Sequence, residues 1–477
     1  MTIRTSRGSG IIAAVAFFVF FVSSTAMAAV IWTTEMVDSN GNAGLYNSLA
    51  LDTMGNPHIS YFSQSYASEF VDLKYAYKSG GIWHIETVDS VYTAGSISLV
   101  LDSHANPHIS YTPNSSSYSP GILKYAVKIG DVWQTETIDN NGSVPCSSLA
   151  VDSSGTRHIS YIVDDWDAGG SFALKYASKS GGGWQIETVN SDQGGGVSTS
   201  LALDSSGNPR IGFSYNDYDT IVGYASKSGD SWQIEKLALG AFPTLALDGS
   251  GIPHISYVSN GLGEDPLLNY TVKTGDIWQT ETADSKNTYP YTISSLTLDS
   301  SGNPHISYTT GPPYPVYFTL KYAFKTVDSW QTETVDSSAD VGMYNSLALD
   351  KSSGPHISYY DNTNHHLKYA LRTNTMSLRN QFYRSFLRTR RTVWMVLIAD
   401  GQQSNQQDRS ITIVGPGDNF QGVSVNEAKR VFSLGKLLYI PLIIDKGATL
   451  GQWKIICTFS LPEAGQVKRI EESFTIQ

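Results

Sequence analysis

Cysteine is almost absent from this chain. Its 477 residues include two cysteines, Cys146 and Cys457, and these fall in different predicted domains. Small secreted domains that are held together by disulfides carry several closely spaced cysteines. The sequence therefore excludes a disulfide framework, and we expect the two thiols to be free or buried.

Basic residues are also scarce. The chain has 32 Lys and Arg against 43 Asp and Glu, which gives a formal net charge of −11. Between residues 29 and 371 arginine occurs at Arg157 and Arg210 and nowhere else. Nucleic acids and anionic membranes attract surfaces of positive potential. The composition argues against both as partners, and against a sialidase-like site, which needs a cluster of arginines.

Long apolar runs are missing except at the start of the chain. The run 11–22 follows the basic residues Arg4 and Arg7 and precedes the small-residue sequence Ala26–Ala28. This order is typical of a secretory signal peptide, here over residues 1–28. We expect cleavage near Ala28 and a mature chain that is secreted, periplasmic or at the cell surface, with no membrane span.

What the sequence does contain is a repeat of about 50 residues. Its clearest copy reads SLTLDSSGNPHISY (295–308), then LKYAFK (320–325), then WQTETVDS (330–337). The aspartate of the LD element recurs at Asp52, Asp102, Asp152, Asp204, Asp248, Asp299 and Asp350. The tryptophan element recurs at Trp32, Trp83, Trp133, Trp184, Trp232, Trp278 and Trp330. The first tryptophan therefore precedes the first LD element, and no tryptophan follows the last LKYA (367–370) at the expected distance.

Each copy contains four short segments in which apolar residues alternate with small or polar ones, separated by turn sequences such as DSSGNP and KSGD. Such alternation predicts strands, and four strands in each of seven units predict a seven-bladed β-propeller over residues 29–371. The displaced first tryptophan predicts that the N-terminal strand (31–38) pairs with 367–371 and closes the ring, because an open ring would expose two edges.

The phrase LALDSSGNPHISY…LKYA…WQTETVD resembles a class of secreted bacterial β-propeller repeat proteins. The resemblance covers about residues 29–371. It implies the propeller fold and is much less specific about activity.

The composition changes at about residue 372. Arg372, Arg379, Arg384, Arg388, Arg390 and Arg391 lie close together, which predicts a basic linker over 372–392, or alternatively a docking segment. Strand-like segments resume at Val393, and the final pair resembles the closing hairpin of an immunoglobulin-like sandwich. We therefore expect a small immunoglobulin-like β-sandwich over 393–477, as a spacer or attachment domain.

Residues that repeat in every copy are expected to build the blades. The histidines of HISY are candidate metal ligands or bases, but each follows a tight turn and one copy has Arg210 instead. A structural role is therefore favoured for His58, His108, His158, His254, His305 and His356. The same holds for Glu35, Glu86, Glu136, Glu187, Glu235, Glu281 and Glu333.

The loops that vary between copies are the candidate binding surface. Antiparallel strands place the second-to-third-strand loops and the blade-to-blade loops at one end of the ring, and variable loops on a rigid scaffold commonly carry function. The predicted ligand-binding residues are Trp166, Asp164, Asp165, Asp167, Tyr218, Asp217, Tyr66, Tyr118, Tyr314, Asp361 and His365. The blade-to-blade loops add Tyr46, Tyr92, Tyr289, Tyr291 and Tyr344.

Exposed aromatic rings beside carboxylates and amides suit sugars, because the ring covers the apolar C–H face while polar groups bind hydroxyls. The sequence therefore predicts a non-catalytic propeller that binds an extracellular or cell-envelope carbohydrate, with an extracellular protein as the next partner class. The alternatives are a carbohydrate-active enzyme, a polysaccharide lyase before a glycosidase, and a structural surface protein. No cofactor is expected, although DDWD (164–167) and NDYD (216–219) offer oxygen ligands for calcium.

Overall fold

The computed structural model of the chain describes residues 30–65, 68–113, 121–165, 171–191, 196–217, 219–259, 266–285, 294–311, 317–327 and 329–374, and the backbone of eight later strands. Every regular element within these ranges is a strand. No helix among them is long and apolar enough to cross a bilayer. The predicted signal peptide lies outside the described residues.

Seven four-stranded antiparallel sheets form the blades. The first strands are β2 (Asn42–Leu51), β6 (Ile97–Leu101), β10 (Ser147–Val151), β14 (Gly196–Leu203), β18 (Ala241–Leu247), β22 (Ser295–Leu298) and β26 (Val341–Leu349). The second strands are β3 (Pro57–Gln64), β7 (Pro107–Tyr111), β11 (Arg157–Asp165), β15 (Pro209–Asp217), β19 (Pro253–Val258), β23 (Pro304–Thr310) and β27 (Pro355–Asp361). The third strands are β4 (Val71–Ser79), β8 (Leu123–Ile129), β12 (Ser171–Lys179), β16 (Asp219–Ser228), β20 (Leu268–Thr274), β24 (Thr319–Lys325) and β28 (His366–Asn374). The fourth strands are β5 (Ile82–Val91), β9 (Val132–Asp139), β13 (Gln185–Asn190), β17 (Ser231–Leu239), β21 (Ile277–Asp284), β25 (Trp330–Asp336) and, from the N-terminus, β1 (Val30–Asp38).

The N-terminal strand completes the last blade. The strand order of that sheet is β1-β28-β27-β26, and the Thr33 hydroxyl donates to the Leu371 carbonyl at 3.2 Å. The seven-bladed ring and its closure by β1 are confirmed.

The first strands surround the central channel and are linked by serine hydroxyls. The backbone N–H of Leu99 in the second blade donates to Ser48 Oγ of the first blade at 3.0 Å. Equivalent bonds join Leu49 to Ser346, Leu149 to Ser98, Leu201 to Ser148, Leu245 to Ser200 and Leu347 to Ser295. Because a buried N–H must find a partner, these serines attach six of the seven inner strands to a neighbouring strand.

The core lies between blades rather than within them. Trp133 of the second blade packs edge-on against Tyr75 of the first, with ring centroids 5.2 Å apart. Its indole N–H donates to Glu86 at 2.9 Å, and Lys128 pairs with the same carboxylate at 2.6 Å. The repeated tryptophan and glutamate therefore form the contact between blades.

The repeated aspartate and histidine hold the turn after each first strand. Asp152 accepts hydrogen bonds from the backbone of Ser154 and Thr156. His158 places Nε2 3.4 Å from Asp152 and shares a 2.5 Å hydrogen bond with the Tyr176 hydroxyl through Nδ1. In the fourth blade Arg210 replaces the histidine and pairs with Asp204 at 2.9 Å. These contacts give the HISY histidines the structural role that was favoured for them.

The last blade extends past residue 371. Strand β28 continues to Asn374, and the Arg372 side chain forms an ion pair with Glu333 at 2.6 Å. Arg372 therefore occupies the place that a lysine holds in the other blades, and it belongs to the propeller rather than to the predicted linker.

A second compact unit contains the later strands. They are β29 (Tyr383–Ser385), β30 (Arg391–Ile398), β31 (Arg409–Val414), β32 (Val423–Val425), β33 (Phe432–Leu434), β34 (Leu437–Ile444), β35 (Gly451–Ser460) and β36 (Val467–Ile476). One sheet has the order β29-β30-β34-β32 with β33 also on β34, and the other has the order β31-β35-β36. The predicted terminal hairpin is present as β35 and β36, and the immunoglobulin-like assignment remains a prediction.

Candidate binding site at the loop end of the channel

The two ends of the ring differ in their loops. The DSSGNP turns and the turns between third and fourth strands lie at one end. The second-to-third-strand loops and the blade-to-blade loops lie at the other, which we call the loop end. This division follows from the antiparallel pairing within every blade.

A cavity of about 330 Å³ opens in the channel at the loop end. Its walls come from the starts of first strands and the residues just before them, so six of the seven blades contribute. The lining residues are Tyr46, Asn47, Ser96, Ile97, Pro145, Cys146, Ser147, Ser198, Thr199, Ser200, Phe242, Pro243, Thr244, Tyr344 and Asn345. A cavity with walls from so many blades must lie on the axis of the ring.

Three aromatic residues occupy equivalent positions in the wall of this cavity. Tyr46, Phe242 and Tyr344 each have a left-handed backbone, with φ of 53°, 54° and 53°. Left-handed φ is unfavourable for bulky residues and is maintained only where the surroundings enforce it. The Tyr46 and Tyr344 rings are in contact, with centroids 4.5 Å apart and planes inclined by 40°.

A bulge in the first strand positions each tyrosine. The pairing of β2 with β3 shifts register between Leu45 and Ser48. Asn47 fixes the bulge, because its amide N–H donates to the Gly44 carbonyl at 3.0 Å and its oxygen accepts from Ser358 of the adjoining blade at 2.5 Å.

The same bulge recurs in the last blade. Asn345 donates to the Gly342 carbonyl at 3.1 Å and accepts from Ser307 at 2.6 Å. The two copies share the sequence G-x-Y-N-S, and the closed ring places them side by side.

The cavity is lined by neutral groups. None of the described lining residues is a carboxylate, histidine, lysine or arginine. Burial, together with the neighbouring Tyr46 and Tyr360, raises the pKa of Tyr344 well above its usual value. Burial also raises the pKa of the Cys146 thiol to about 12. Both groups are therefore protonated at neutral pH, and Tyr344 is a hydrogen-bond donor rather than a base.

A ring contact followed by a hydrogen bond connects the cavity wall to one predicted site residue. The Tyr360 ring lies 6.1 Å from Tyr344. Its hydroxyl contacts Asn42 Oδ1 at 2.6 Å and His365 Nδ1 at 2.7 Å. His365, which was predicted to bind ligand, is thus one side chain removed from the cavity wall.

Asp361 lies in the same loop but is buried. Its side chain is 5% exposed, and both carboxylate oxygens accept hydrogen bonds of 3.0 Å from Asn364. This placement gives Asp361 a role in holding the loop and leaves little of its surface for a ligand.

For the other predicted site residues, the structure describes either the backbone alone or nothing. Asp164 and Asp165 end β11, and Asp217 ends β15 at the loop end, where their backbone is described. Trp166, Asp167, Tyr218, Tyr66, Tyr118 and Tyr314 lie outside the described residues. Within the described part of the chain, no group of three or more His, Cys, Asp or Glu side chains is arranged to hold a metal ion.

The sequence interpretation did not identify the cavity. Tyr46 and Tyr344 were noted as loop tyrosines, but Phe242 and the two asparagines were not singled out. The available signal was the G-x-Y-N-S sequence, which occurs in the first and last copies of the repeat and not in the other five.

Exposed aromatic side chains also lie near the loop end. Phe70 and Tyr92 are 43% and 67% exposed, and their ring centroids are 4.8 Å apart. Tyr317 is 62% exposed.

No protein-family model and no curated protein matches the chain. Among solved structures it is similar to an ulvan lyase described as representing a new polysaccharide lyase family, with 13% identity, coverage of 70% of this chain and 95% of that one, and a TM-score of 0.50. It is also similar to an α-L-arabinanase of Penicillium chrysogenum complexed with arabinobiose (9% identity, 64% and 98% coverage, TM-score 0.43). A third is the SapL1 lectin in complex with α-methyl fucoside (10% identity, 63% and 97% coverage, TM-score 0.42).

The chain is a β-propeller. At 13% identity the likeness to the ulvan lyase shows the fold alone.

Proposed function

We propose that this chain is an exported, non-catalytic propeller that binds a neutral carbohydrate at its loop end. The observation that carries the proposal is the chemistry of the cavity wall, in which aromatic rings, hydroxyls and amides meet without a charged side chain. Aromatic faces pack against the C–H groups of sugars, while hydroxyls and amides bind their oxygens.

The same chemistry argues against catalysis in this cavity. A glycosidase requires two carboxyl groups on either side of the scissile bond, and no carboxylate is among the described lining residues. A lyase requires a base, and burial raises the pKa of Tyr344, which disfavours the ionised form that would accept a proton. Binding without turnover is therefore the function that the cavity favours over the lyase and glycosidase alternatives.

The remaining parts of the proposal rest on the sequence. Residues 1–28 supply the export signal. The C-terminal unit acts as an immunoglobulin-like spacer or attachment domain. Trp166 and the acidic residues around it contribute a second, peripheral contact with a longer glycan.

The test is binding of the purified mature chain to an array of neutral and acidic glycans, followed by incubation of every bound glycan and analysis for products. We expect retention of neutral glycans without cleavage, and weaker retention by Trp166→Ala. Met54→Ala is the matched control, because Met54 is 76% exposed in a turn at the opposite end of the ring. Cleavage products would establish the enzyme alternative, and failure to bind any glycan would refute the carbohydrate proposal.

A protein partner is the second candidate, and the exposed pair Phe70 and Tyr92 favours it. Contiguous exposed aromatics are common at protein interfaces. The test is attachment of the Tyr92→Ala variant to cell envelopes with and without protease treatment, which removes protein partners and leaves glycans. If the variant fails to attach to both kinds of envelope, the pair belongs to the glycan-binding surface. Loss of attachment confined to untreated envelopes would indicate a protein.

A further inference from the structure

We infer that the axial cavity is a single site that receives the terminal residue of a neutral glycan end-on, between Tyr46, Tyr344 and Phe242. The inference rests on the proposed function and adds the position of the site, the number of ligands per chain and the part of the glycan that is bound.

The number of sites follows from how the wall is built. Seven repeats could supply seven similar pockets, as in a multivalent lectin. Here the position of Tyr46 is taken by Ser96, Cys146 and Ser198 in the second, third and fourth blades. The aromatic residues of three blades and the small residues of three others enclose one asymmetric cavity on the axis, so we expect one ligand per chain.

The shape of the wall suits one sugar ring and not an extended chain. A volume of about 330 Å³ lies at the lower limit for small-molecule sites, which span roughly 300–1,000 Å³. Inner strands of six blades form the described walls, so the cavity opens along the axis of the ring. A glycan must therefore enter along the axis with its end first.

The aromatic positions are fixed before a ligand arrives. Each tyrosine lies within a bulge that an asparagine holds in place through two hydrogen bonds. Rigid aromatic side chains lose little entropy on binding, which increases the affinity obtained from a small contact.

The charge of the ligand is restricted by the same wall. A uronate or sulfate would lose its hydration in a cavity whose described lining includes no cationic side chain. Burying a charge without a partner is costly. Neutral terminal residues are therefore preferred over acidic ones.

The experiment is a calorimetric titration of the mature chain with methyl glycosides of glucose, galactose, mannose, fucose, rhamnose, arabinose, xylose and N-acetylglucosamine, and with methyl glucuronide. For each neutral glycan retained on the array, binding to the chain is then measured before and after its terminal residue is capped. We expect a stoichiometry of one, preference for neutral glycosides, and loss of binding on capping.

Two kinds of variant test the cavity: some remove one aromatic contact each, and one fills the cavity. Tyr46→Ala and Tyr344→Ala are expected to weaken binding by at least about tenfold, and Tyr344→Phe by less than about threefold, because it retains the ring. Ser198→Trp, which fills the cavity from the opposite side of the ring, should abolish binding while every contact of Tyr46 and Tyr344 is retained. Met54→Ala is the control, and melting temperatures verify that each variant is folded.

The position of the site and carbohydrate binding as such can be contradicted separately. Glycan binding with several ligands per chain, or with an affinity that Tyr46→Ala, Tyr344→Ala and Ser198→Trp leave unchanged, would overturn the axial site and leave carbohydrate binding intact. Absence of binding to every glycan on the array and every glycoside would overturn both.

Discussion

At the scale of single residues, buried hydroxyls are paired between blades. The serine of HISY contacts the next blade in five cases, for example Ser160 with Thr199 at 2.8 Å and Ser307 with Asn345 at 2.6 Å. Ser60 is an exception. Its hydroxyl is fully buried and has no hydrogen-bond partner among the described residues, because the second blade presents Ile97 where five of the other blades present a polar side chain.

This difference predicts opposite effects for one substitution at two equivalent sites. Ser60→Ala should leave the free energy of unfolding unchanged or raise it, because an unsatisfied buried hydroxyl is removed. Ser160→Ala should lower it by about 1–3 kcal/mol, because Thr199 loses its partner. Denaturant unfolding of both variants measures the difference. Equal destabilisation would show that the Ser60 hydroxyl is satisfied.

At the scale of elements, the first strand of a blade is either regular or bulged. The sequence predicted seven equivalent first strands, and the alternation of SLALD is indeed the same in each. The bulge that precedes SLALD in the first blade cannot be predicted from this alternation. The bulge depends on Gly44, which fits closely against Leu367 of the adjoining blade. A Cβ at Gly44 would lie 2.9 Å from Leu367 Cα, and φ is 108°.

Gly44→Ala is therefore expected to lower the free energy of unfolding by about 1–3 kcal/mol and to weaken glycan binding, because Tyr46 is displaced. Gly181→Ala is the matched control. No atom lies within 4 Å of a Cβ built there, so its stability and binding should equal those of the parent chain. Thermal unfolding and glycan titration measure both effects, and retention of full binding by Gly44→Ala would separate the bulge from the site.

At the scale of the whole molecule, closure depends on one N-terminal strand. Strand β1 supplies Trp32, which donates to Glu333 of the sixth blade at 3.0 Å. It also supplies Glu35 and Asp38, which accept from Trp83 at 3.2 Å and Tyr61 at 2.7 Å in the first blade. One strand therefore joins three blades.

A chain that begins at residue 39 should melt at least about 5 °C below one that begins at residue 29, because both faces of the last blade lose partners. Differential scanning calorimetry of the two chains measures this. Equal melting temperatures would mean that β1 does not hold the ring closed.

Acid is expected to destabilise the propeller through its repeated histidines. Burial lowers the pKa of His58, His108, His158, His254 and His305 below 6.5. The unfolded chain then binds more protons than the folded chain as the pH falls below about 6.5, so stability is full above that pH and declines below it.

We expect the melting temperature to fall by several degrees between about pH 7.5 and about pH 5. Replacing His158 with Gln should reduce this slope. Replacing the exposed His104 with Gln should not alter it. A melting temperature that is constant over this range would contradict the buried, neutral state of these side chains.

The sequence was enough to predict the repeat, the number of strands and blades, and the way the ring closes. These features depend on alternation and turns within about 50 residues, and seven copies reinforce the same pattern. It also separated residues that build blades from residues in variable loops, which correctly assigned the histidines, glutamates and tryptophans.

The residues that line the cavity are brought together by long-range packing, which the sequence pattern does not show. Tyr46 and Tyr344 are almost 300 residues apart and meet because the first and last blades adjoin in the closed ring. The neutrality of the cavity is likewise a property of six strands that no local pattern relates to one another. The composition of the variable loops predicted a site around acidic residues. Packing of the inner strands instead forms an uncharged, aromatic cavity on the axis.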